Sequence, residues 1–331
     1  MTAATRRVLV TGASGLLGAG VARELVEAGH DVVTLQRRPS GVLGARDIQG
    51  SVTDREAVRT AMVGRDTLVH VAAKVSVSGP AEQYDQVNVQ GTQKVLDAAR
   101  EAGVERVVHI SSPSVAHAGT SIIGEGAGPA DPAHARGHYA RTKAQAELLA
   151  LAADAEDFRV LVLRPHLMWG PGDSQLTERI VDRARQRRMP ILGPGAALVD
   201  TLYTENAVDA VLRAVEAVDR VHGESLVVTN GEPRPIGELV REMARAGGAP
   251  EPRLRIPAGV ATVAGSMIEK VWERADLGRG GDEPPLTRFL AEQLSTAHWF
   301  DQRRTREVLD WTPAVSIDEG LERLAEHYRA V

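Results

Sequence analysis

Short apolar runs alternate with helical patterns through the N-terminal half of the chain. The runs are about five or six residues long, and the segments between them repeat apolar positions close to every 3.6 residues. This alternation is typical of βαβ units, whose right-handed crossovers place helices on both faces of a parallel sheet. The predicted strands are residues 7–11, 31–35, 67–72, 106–111 and 159–164, and the predicted helices are 16–28, 54–62, 82–102 and 139–153.

The regular alternation ends near Pro165, and Gly-Pro-Gly triplets at 170–172 and 193–195 mark turns in the less regular remainder. Strand patterns at 199–203 and 224–228 predict a partial return to the sheet, and the polar segment 278–285 predicts an exposed loop. We therefore predict an α/β fold, a Rossmann-type doubly wound parallel sheet with a smaller, mainly C-terminal substrate-binding region. The predicted sheet domain comprises residues 1–165, with strands returning at about 198–228, and the predicted cap comprises residues 166–197 and 229–331.

The composition excludes several classes of protein. A net charge of −5, with 25% charged residues and no long block of one sign, argues against nucleic-acid binding. The chain has no cysteine, which rules out disulfides, thiolate metal ligands and a cysteine nucleophile, and we predict no metal site. The first residues lack the apolar core of a signal peptide, and no apolar run reaches the length of a bilayer span. We predict a cytoplasmic protein without a transmembrane segment.

A glycine-rich turn directly follows the first predicted strand and opens the first predicted helix. Tight turns of this kind need glycine for structural reasons alone, but the position in the first βα unit favours dinucleotide binding. Glycine lets the backbone approach a pyrophosphate, whose charge is met by the free N–H groups of the helix N-terminus. The cofactor contacts predicted from this turn are Gly12, Ser14, Gly15, Leu16 and Leu17.

The end of the second predicted strand carries Gln36, followed by Arg37 and Arg38. In this fold an Asp or Glu at that position binds both hydroxyls of the adenosine ribose of NAD. A guanidinium instead attracts the 2′-phosphate of NADP through paired hydrogen bonds. The residues therefore favour NADP(H) over NAD(H), with Arg37 as the phosphate ligand and Arg38 as a second candidate. The alternative is that both arginines are solvated loop residues.

Tyr139 and Lys143 lie four residues apart in a predicted helix, on one face, and Ser112 stands at the end of a predicted strand. A phenol titrates near pH 10, and a neighbouring ammonium favours its phenolate and so lowers its pKa. Tyr139 could then exchange a proton with a substrate oxygen that Ser112 holds. Tyr-x-x-x-Lys also occurs by chance in helices, so the hypothesis depends on the nucleotide turn and the serine together.

These elements together resemble the extended short-chain dehydrogenase/reductase family over essentially the whole chain. The segments Val69-His70-Val71-Ala72-Ala73-Lys74 and Asn88-Val89-Gln90-Gly91-Thr92, with Arg164-Pro165, are similar to further family motifs. The resemblance implies that Ser112, Tyr139 and Lys143 are catalytic and that Tyr139 and Lys143 also contact the cofactor. It implies further cofactor contacts at Val52, Ala72, Ala73, Lys74, Pro165 and Leu167. Ser51 departs from the family pattern, which often has Asp there to meet the adenine amine.

Residues expected near the substrate indicate which branch of the family this chain resembles. Sugar dehydratases usually carry Asp-Glu after the catalytic hydroxyl, where this chain has Pro113-Ser114, and nucleotide-sugar epimerases carry an Asn that segment 166–173 lacks. Segments 166–173, 200–203 and 283–299 resemble the 3β-hydroxysteroid dehydrogenase-like branch, and most closely the reductases of bacterial long-chain olefin biosynthesis. This resemblance implies NADPH-dependent reduction of a β-keto acid with two long alkyl chains to the β-hydroxy acid.

Two features bear on such a substrate. Segment 256–268 has many small residues, which predict either a groove for alkyl chains, a surface that meets a membrane, or a close-packed core helix. A substrate carboxylate needs a cation. The candidates near the loop between Ser112 and Tyr139 are His117, His134, Arg136 and His138.

Two rival functions remain open. The first is an NAD-linked 3β-hydroxysteroid dehydrogenase, which runs the same chemistry in the oxidative direction. The second is an NADP-sensing regulatory protein of the same fold, although such proteins typically lose the Tyr or Lys that this chain retains. The resemblance also implies a homodimer through the helices at 82–102 and 139–153, and partner enzymes of the olefin pathway.

Overall fold

A parallel sheet of seven strands forms the centre of the protein. The computed structural model describes residues 5–75, 79–117, 119–274, 291–292 and 294–330. The first five strands of the sheet are β1 Arg7–Thr11, β2 Asp31–Gln36, β3 Arg46–Gln49, β4 Thr67–His70 and β5 Arg106–Ile110. In space the strands follow the order Glu224–Val228, Arg159–Pro165, β5, β4, β1, β2, β3. The predicted fold class is confirmed.

The chain order reverses at β1, which lies between β2 and β4. Ligands of open α/β sheets bind beyond the carboxyl ends of the strands at such a reversal. β1 and β4 are buried on both faces and read as continuous apolar runs. β3 was missed by the sequence pattern because it is a short edge strand whose residues, Arg-Asp-Ile-Gln, are mostly exposed.

Helices cover both faces of the sheet. On one face, α1 (Leu16–Glu27) packs beside helix Thr204–Ala217 over an apolar cluster that includes Val21 and Val211. On the other face a second cluster includes Met62 and Val95. The helices over that cluster are Arg55–Met62, Gly91–Glu101 and Gly137–Ala152.

The predicted helix at 82–102 is continuous but changes its winding. Helix Ala81–Tyr84 leads into a π-helical turn, Asp85–Gln90, which leads into Gly91–Glu101. The buried Asn88 side chain in this turn accepts a hydrogen bond from Lys74 N (2.7 Å) and donates to Thr142 Oγ1 (3.0 Å). π-Helical turns inside helices are frequent at functional sites. Here the turn fixes the backbone after β4 against the helix that carries Tyr139.

Further helices and three small sheets lie outside the central sheet. Helices Thr177–Arg185, Ile236–Ala246 and Ile317–Ala330 surround a third apolar cluster around Trp169 and Tyr203. Helix Arg303–Leu309 packs against Glu224–Val228 and Thr204–Ala217. One small sheet has four strands, in the order Arg234–Pro235, Leu198–Val199, His298–Phe300 and Ile122–Glu125. A second sheet pairs Met168–Trp169 with Leu202–Tyr203, and a third pairs Ile191–Leu192 with Arg255–Ile256.

The strand pairing corrects one prediction. Residues 224–228 return to the central sheet as expected, but 199–203 do not. Val199 pairs with Arg234 and His298, and Leu202 pairs with Met168, because Asp200 and Thr201 interrupt the extended segment and divide it between two small sheets.

Helix Ala258–Arg274 contains most of the small-residue segment. Ala261 is fully buried, whereas Val260, Val263 and Met267 are 58%, 55% and 63% exposed and lie on one face of the helix. The core-helix alternative is therefore wrong for that face. No helix within the described ranges has both the length and the apolar composition to cross a bilayer. The predicted loop 278–285 and residues 283–290 of the resemblance lie outside the described residues.

Candidate active site

A cavity of about 1340 Å³ opens beyond the carboxyl ends of the strands, at the reversal of strand order. One end is formed by the glycine turn and the end of β2, and the other end by cap residues including Met189 and Phe300. Ser112, Tyr139 and Lys143 line the part between them. The structure thus brings the predicted nucleotide-binding residues and the predicted catalytic residues into one cavity.

The glycine turn is shaped for close approach to a ligand. Gly12 has a φ of +79°, and a Cβ built there would lie 2.8 Å from Ala72 N. A Cβ on Gly18 would lie 2.5 Å from Gly12 O, so both positions require glycine. No side chain caps α1, which leaves its first N–H groups for an anion. The turn residues that line the cavity are Gly12, Ser14, Gly15, Leu16 and Leu17.

The backbone after β4 forms the opposite wall of the nucleotide end. Thr11 Oγ1 accepts hydrogen bonds from Val71 N (3.2 Å) and Ala72 N (3.1 Å), which ties this wall to β1. Asn88 holds both the N–H and the carbonyl of Lys74. The lining residues here include Val52, Ala72, Ala73 and Lys74, all predicted cofactor contacts. Ser51 also lines the cavity, and its hydroxyl bonds Thr53 Oγ1 at 2.8 Å.

Gln36, Arg37 and Arg38 lie together at the end of the cavity nearest β2. Gln36 is buried, and its Nε2 donates to Thr34 Oγ1 at 3.1 Å. Both arginines are exposed at the cavity wall. Neither forms an ion pair within the described part of the chain, so their charges are available to an anionic ligand.

Ser112 and Tyr139 meet where β5 ends and helix Gly137–Ala152 begins its first turn. Ser112 forms a side-chain hydrogen bond with Tyr139, and Ser114 Oγ donates to Ser112 Oγ at 3.0 Å. Desolvation raises the pKa of Tyr139, and the hydrogen bond from Ser112 opposes that rise. The phenol is therefore held in its protonated form, which is the form a proton donor needs.

Lys143 lies one helical turn after Tyr139 and is buried. Its Nζ donates to Ile110 O at 2.5 Å. Burial lowers the pKa of Lys143 to about 8, and the nearby Glu147 carboxylate opposes that shift. The expected lowering of the Tyr139 pKa by Lys143 is not found, because burial dominates at Tyr139 and the ammonium bonds the Ile110 carbonyl instead.

Lys143 lies near a buried ionic cluster. Glu147 and Arg164 are 0% and 1% exposed, and Arg164 Nε donates to Glu147 Oε2 at 3.0 Å. Ser111 Oγ donates to Glu147 Oε2 at 2.5 Å and Ser225 Oγ to Oε1 at 2.7 Å. Arg164 belongs to a motif quoted above, but Glu147 was not predicted. Its signal is a carboxylate four residues after Lys143, on the same helix face.

Three histidines line the cavity beyond Ser112. His117 Nε2 and His298 Nε2 are 2.8 Å apart, and the rings of His166 and His298 meet at 5.8 Å. Burial lowers the pKa of all three, to about 3 for His298 and about 4 for His166. The cluster is neutral at physiological pH. His298 was missed by the sequence analysis because 181 residues separate it from His117.

The other carboxylate candidates lie elsewhere. His134 is exposed and bonds Asp131 Oδ2 at 2.6 Å, and His138 packs on the Tyr84 ring. Of the four candidates only His117 lines the cavity. No group of described residues has the composition and spacing of a metal site.

Pro165 and Leu167, both predicted cofactor contacts, line the cavity beside His166. Leu167 has a φ of +41°, a strained conformation for a residue with a side chain. Strain of this kind concentrates at functional sites. It places the end of strand Arg159–Pro165 against the catalytic part of the cavity.

Comparison with known proteins agrees with this site. Residues 8–229 match the sequence model of the NAD dependent epimerase/dehydratase family. The chain belongs to that family. It is 41% identical to the 2-alkyl-3-oxoalkanoate reductase of Stenotrophomonas maltophilia over 327 residues, covering 96% of this chain and 98% of the relative. It is 28% identical to the 3-beta-hydroxysteroid dehydrogenase of Mycolicibacterium neoaurum over 340 residues, covering 97% of this chain and 91% of the relative.

Among solved structures, MoeE5 in complex with UDP-glucose and NAD is similar over 98% of both chains, with a TM-score of 0.74 and 28% identity. The predicted membership of the extended short-chain dehydrogenase/reductase family, with relatives in the 3β-hydroxysteroid dehydrogenase branch, is confirmed. The protein is an oxidoreductase, and a nicotinamide dinucleotide is its cofactor. The residues fit such a cofactor, because the turn after β1 lines the cavity and no side chain caps the first N–H groups of α1, which remain for a pyrophosphate.

Proposed function

We propose that this enzyme uses NADPH to reduce the 3-keto group of a long-chain 2-alkyl-3-oxoalkanoic acid to the 3-hydroxy acid. The observation that carries the proposal is the position of Ser112 and Tyr139 where the nucleotide end of the cavity meets an apolar cap. Apolar side chains that two alkyl chains could contact line the other end of the cavity, together with the polar side chains of Asp173, Gln175, Arg179 and Arg183. The apolar residues are Leu167, Met168, Leu176, Ile180, Met189, Leu294 and Phe300. The name of the 41% identical relative supports the same substrate class.

Ser112, Tyr139 and Lys143 have different roles in the proposed reduction of the ketone. A bound nicotinamide supplies or accepts the hydride. Ser112 donates a hydrogen bond to the ketone oxygen and orients it. Tyr139 gives its phenolic proton to the alkoxide as that oxygen becomes negative, which balances the reaction as one hydride and one proton added to the ketone. Lys143 has a pKa of about 8, which keeps it mostly protonated near neutral pH, so a buried positive charge lies one helical turn from the phenolate that the proton transfer leaves.

The preference for NADPH rests on the charges at the end of β2. The position that carries a carboxylate in NAD enzymes of this fold holds the uncharged Gln36. Arg37 and Arg38 lie at the same wall without an ion-pair partner in the described residues. A 2′-phosphate placed there meets two cations and no anion from residue 36.

The test of the reaction is Tyr139→Phe, with Tyr328→Phe as the matched control, since Tyr328 lies outside this cavity. Oxidation of a 2-alkyl-3-hydroxyalkanoic acid by NADP⁺ avoids having to supply the keto acid, which decarboxylates spontaneously. In this direction Tyr139 accepts the proton of the hydroxyl group. Tyr139→Phe is expected to reduce kcat at least about a hundredfold while the cofactor still binds, because the group that exchanges the proton is removed and the cofactor wall is not. Near-normal turnover in Tyr139→Phe would refute the mechanism.

A 3β-hydroxysteroid dehydrogenase is the second candidate, supported by the relative from Mycolicibacterium neoaurum. Both activities transfer one hydride and one proton, so only the preferred substrate and cofactor distinguish the dehydrogenase from the keto acid reductase. Initial rates with a 3β-hydroxysterol and NAD⁺, against a 2-alkyl-3-hydroxy acid and NADP⁺, are expected to favour the acid and NADP⁺. Faster turnover of the sterol with NAD⁺ would replace the first proposal by the second.

We extend this proposal to a homodimer, to partner enzymes of the olefin pathway and to a cytoplasmic location. A homodimer would use the helices Gly91–Glu101 and Gly137–Ala152, where family members commonly pair. Sedimentation at micromolar concentration tests the dimer. Co-purification with a condensing enzyme and a β-lactone-forming enzyme tests the pathway.

A further inference from the structure

The side-chain oxygen of Ser112 accepts two hydrogen bonds from a single neighbour, Ser114. Ser114 Oγ donates to Ser112 Oγ at 3.0 Å, and the backbone N–H of Ser114 donates to the same oxygen at 3.3 Å. A serine oxygen has two lone pairs and carries one hydrogen. Ser114 therefore occupies both lone pairs of Ser112, and only the Ser112 hydrogen remains for other groups.

A short 3₁₀-helical turn, Pro113–Ala116, fixes this arrangement. Ser112 precedes the turn, and its side chain caps the turn through the Ser114 N–H. Pro113 has no N–H, so Ser114 is the first residue after Ser112 that can donate from its backbone. Val115 is fully buried, and its N–H donates to the Ser112 carbonyl at 3.2 Å. The turn thereby holds the Ser114 hydroxyl beside the catalytic serine.

The Ser114 hydroxyl is committed to Ser112. Ser114 is 9% exposed, at the wall of the cavity that both serines line. Among the residues that the structure describes, the Ser114 hydroxyl bonds Ser112 Oγ and no other group. Serine hydroxyls often bond backbone carbonyls of their own turn, and this one does not. Its hydrogen is directed at the oxygen of the catalytic serine.

The occupied lone pairs decide where Tyr139 can send its phenolic hydrogen. Ser112 donates to the phenol, and this bond opposes the rise in the Tyr139 pKa that burial causes. Because Ser112 has no free lone pair, it cannot accept the phenolic hydrogen in return. That hydrogen is left for a ketone oxygen in the cavity. The bonds that Ser112 accepts also make it a stronger donor to the same ketone oxygen.

We propose that Ser114 is a positioning residue for the reaction, which occupies the lone pairs of Ser112 so that the hydrogens of Ser112 and Tyr139 are both directed at the substrate oxygen. This inference rests on the proposed function, in which those two residues act on one oxygen. Without the Ser114 hydroxyl one lone pair of Ser112 is open, and Tyr139 can donate to it. The ketone oxygen then lacks its acid.

The variants Ser114→Thr and Ser114→Val test the hydroxyl, because their side chains have the same shape and differ in that group alone. Single-turnover formation of NADPH from a 2-alkyl-3-hydroxyalkanoic acid and NADP⁺ measures the hydride step, and both directions of the reaction share one transition state. Ser114→Val is expected to be about three- to tenfold slower than Ser114→Thr, the usual value of one hydrogen bond. The KM for the acid and the Kd for NADPH are expected to agree within about twofold.

The same two variants combined with Ser112→Ala show whether Ser114 acts through Ser112. Once the Ser112 hydroxyl is removed, Ser114 has no oxygen to orient, and the difference between Thr and Val at position 114 is expected to disappear. A role in holding the turn would persist. As a control, Thr305→Val makes the same hydroxyl-to-methyl change at a buried residue outside the cavity, whose Oγ1 donates to Val227 O at 2.6 Å. It is expected to leave the hydride step unchanged.

The outcomes separate this inference from the proposed function. Equal rates for Ser114→Thr and Ser114→Val overturn the positioning role, and so does a rate difference that persists without the Ser112 hydroxyl. A raised KM at an unchanged rate also overturns it, because Ser114 would then contact the substrate directly. Failure of the native enzyme to oxidise the acid refutes the proposed substrate. The same comparison with a 3β-hydroxysterol and NAD⁺ then still decides the role of Ser114.

Discussion

Removing Arg164 from its buried pair with Glu147 tests how much this pair contributes to the stability of the protein. The Arg164 guanidinium donates to both Glu147 oxygens and to the Ala127 carbonyl, and solvent reaches neither side chain of the pair. The change Arg164→Met keeps the length and apolar character of the side chain but removes the charge. Glu147 then remains buried with two hydroxyl donors, Ser111 and Ser225, and without its cation.

The expected magnitude follows from the burial. Loss of one partner of a buried pair costs about 3–5 kcal/mol when the remaining charge has no compensation. Ser111, Ser225 and the nearby Lys143 ammonium still face Glu147, so we expect the lower end of this range, about 3 kcal/mol. The double variant Arg164→Met/Glu147→Leu removes both charges and leaves two hydroxyls without their acceptor. At roughly 1 kcal/mol for each hydroxyl, we expect the double variant to lose about 2 kcal/mol, less than the single variant.

Urea unfolding followed by both tryptophan fluorescence and far-ultraviolet circular dichroism provides the measurement, with coincident transitions as the condition for using free energies. Leu17→Ala, a buried truncation in the cluster on the opposite face, serves as a control whose cost should add to that of either variant. The reasoning is refuted if Arg164→Met costs less than about 1 kcal/mol, or if the double variant costs as much as the sum of its two single variants.

Two further predictions concern the cofactor and the catalytic lysine. Gly12→Ala is expected to weaken NADPH binding at least about tenfold in a fluorescence titration, because its Cβ would lie 2.8 Å from Ala72 N. Gly29→Ala has a similar φ, +84°, but open space around it and is expected to bind normally, so equal effects would contradict the close-approach argument. Burial lowers the pKa of Lys143 to about 8, so its ammonium is lost as pH rises through 8, and kcat/KM for reduction is expected to fall above that pH. Glu147→Gln is expected to shift this fall in kcat/KM to lower pH, since Glu147 raises the Lys143 pKa. A kcat/KM that stays constant up to about pH 9.5 would contradict the assignment of the fall to Lys143.

The sheet and the catalytic cavity follow from local sequence patterns. Buried parallel strands are apolar throughout, and β1, β4 and β5 therefore stand out from the helices between them. The glycine turn and Tyr139–Lys143 are also local, since a βα turn and one helical turn define them. Such features are visible without a structure because all their residues are close in the chain.

The residues that were missed depend on contacts between distant segments. His298 reaches His117 only through the small sheet that pairs His298–Phe300 with Ile122–Glu125. Asp47 lies on an exposed edge strand with no apolar period, so no pattern marked it as the hydrogen-bond partner of Thr34. The pKa of Tyr139 was misjudged for a related reason, since burial depends on everything packed around the phenol and not on its helical neighbour alone.

The small sheet also limits how this enzyme can be recombined with its relatives. Ile122–Glu125 comes from the stretch between Ser112 and Tyr139, yet it pairs with His298–Phe300 and not with the central sheet. A chimera that exchanged only the chain after Pro165 would keep one partner of this pairing and replace the other. An exchange of substrate specificity should therefore transfer the 119–136 stretch together with the C-terminal segment, so that both sides of the sheet come from the same parent.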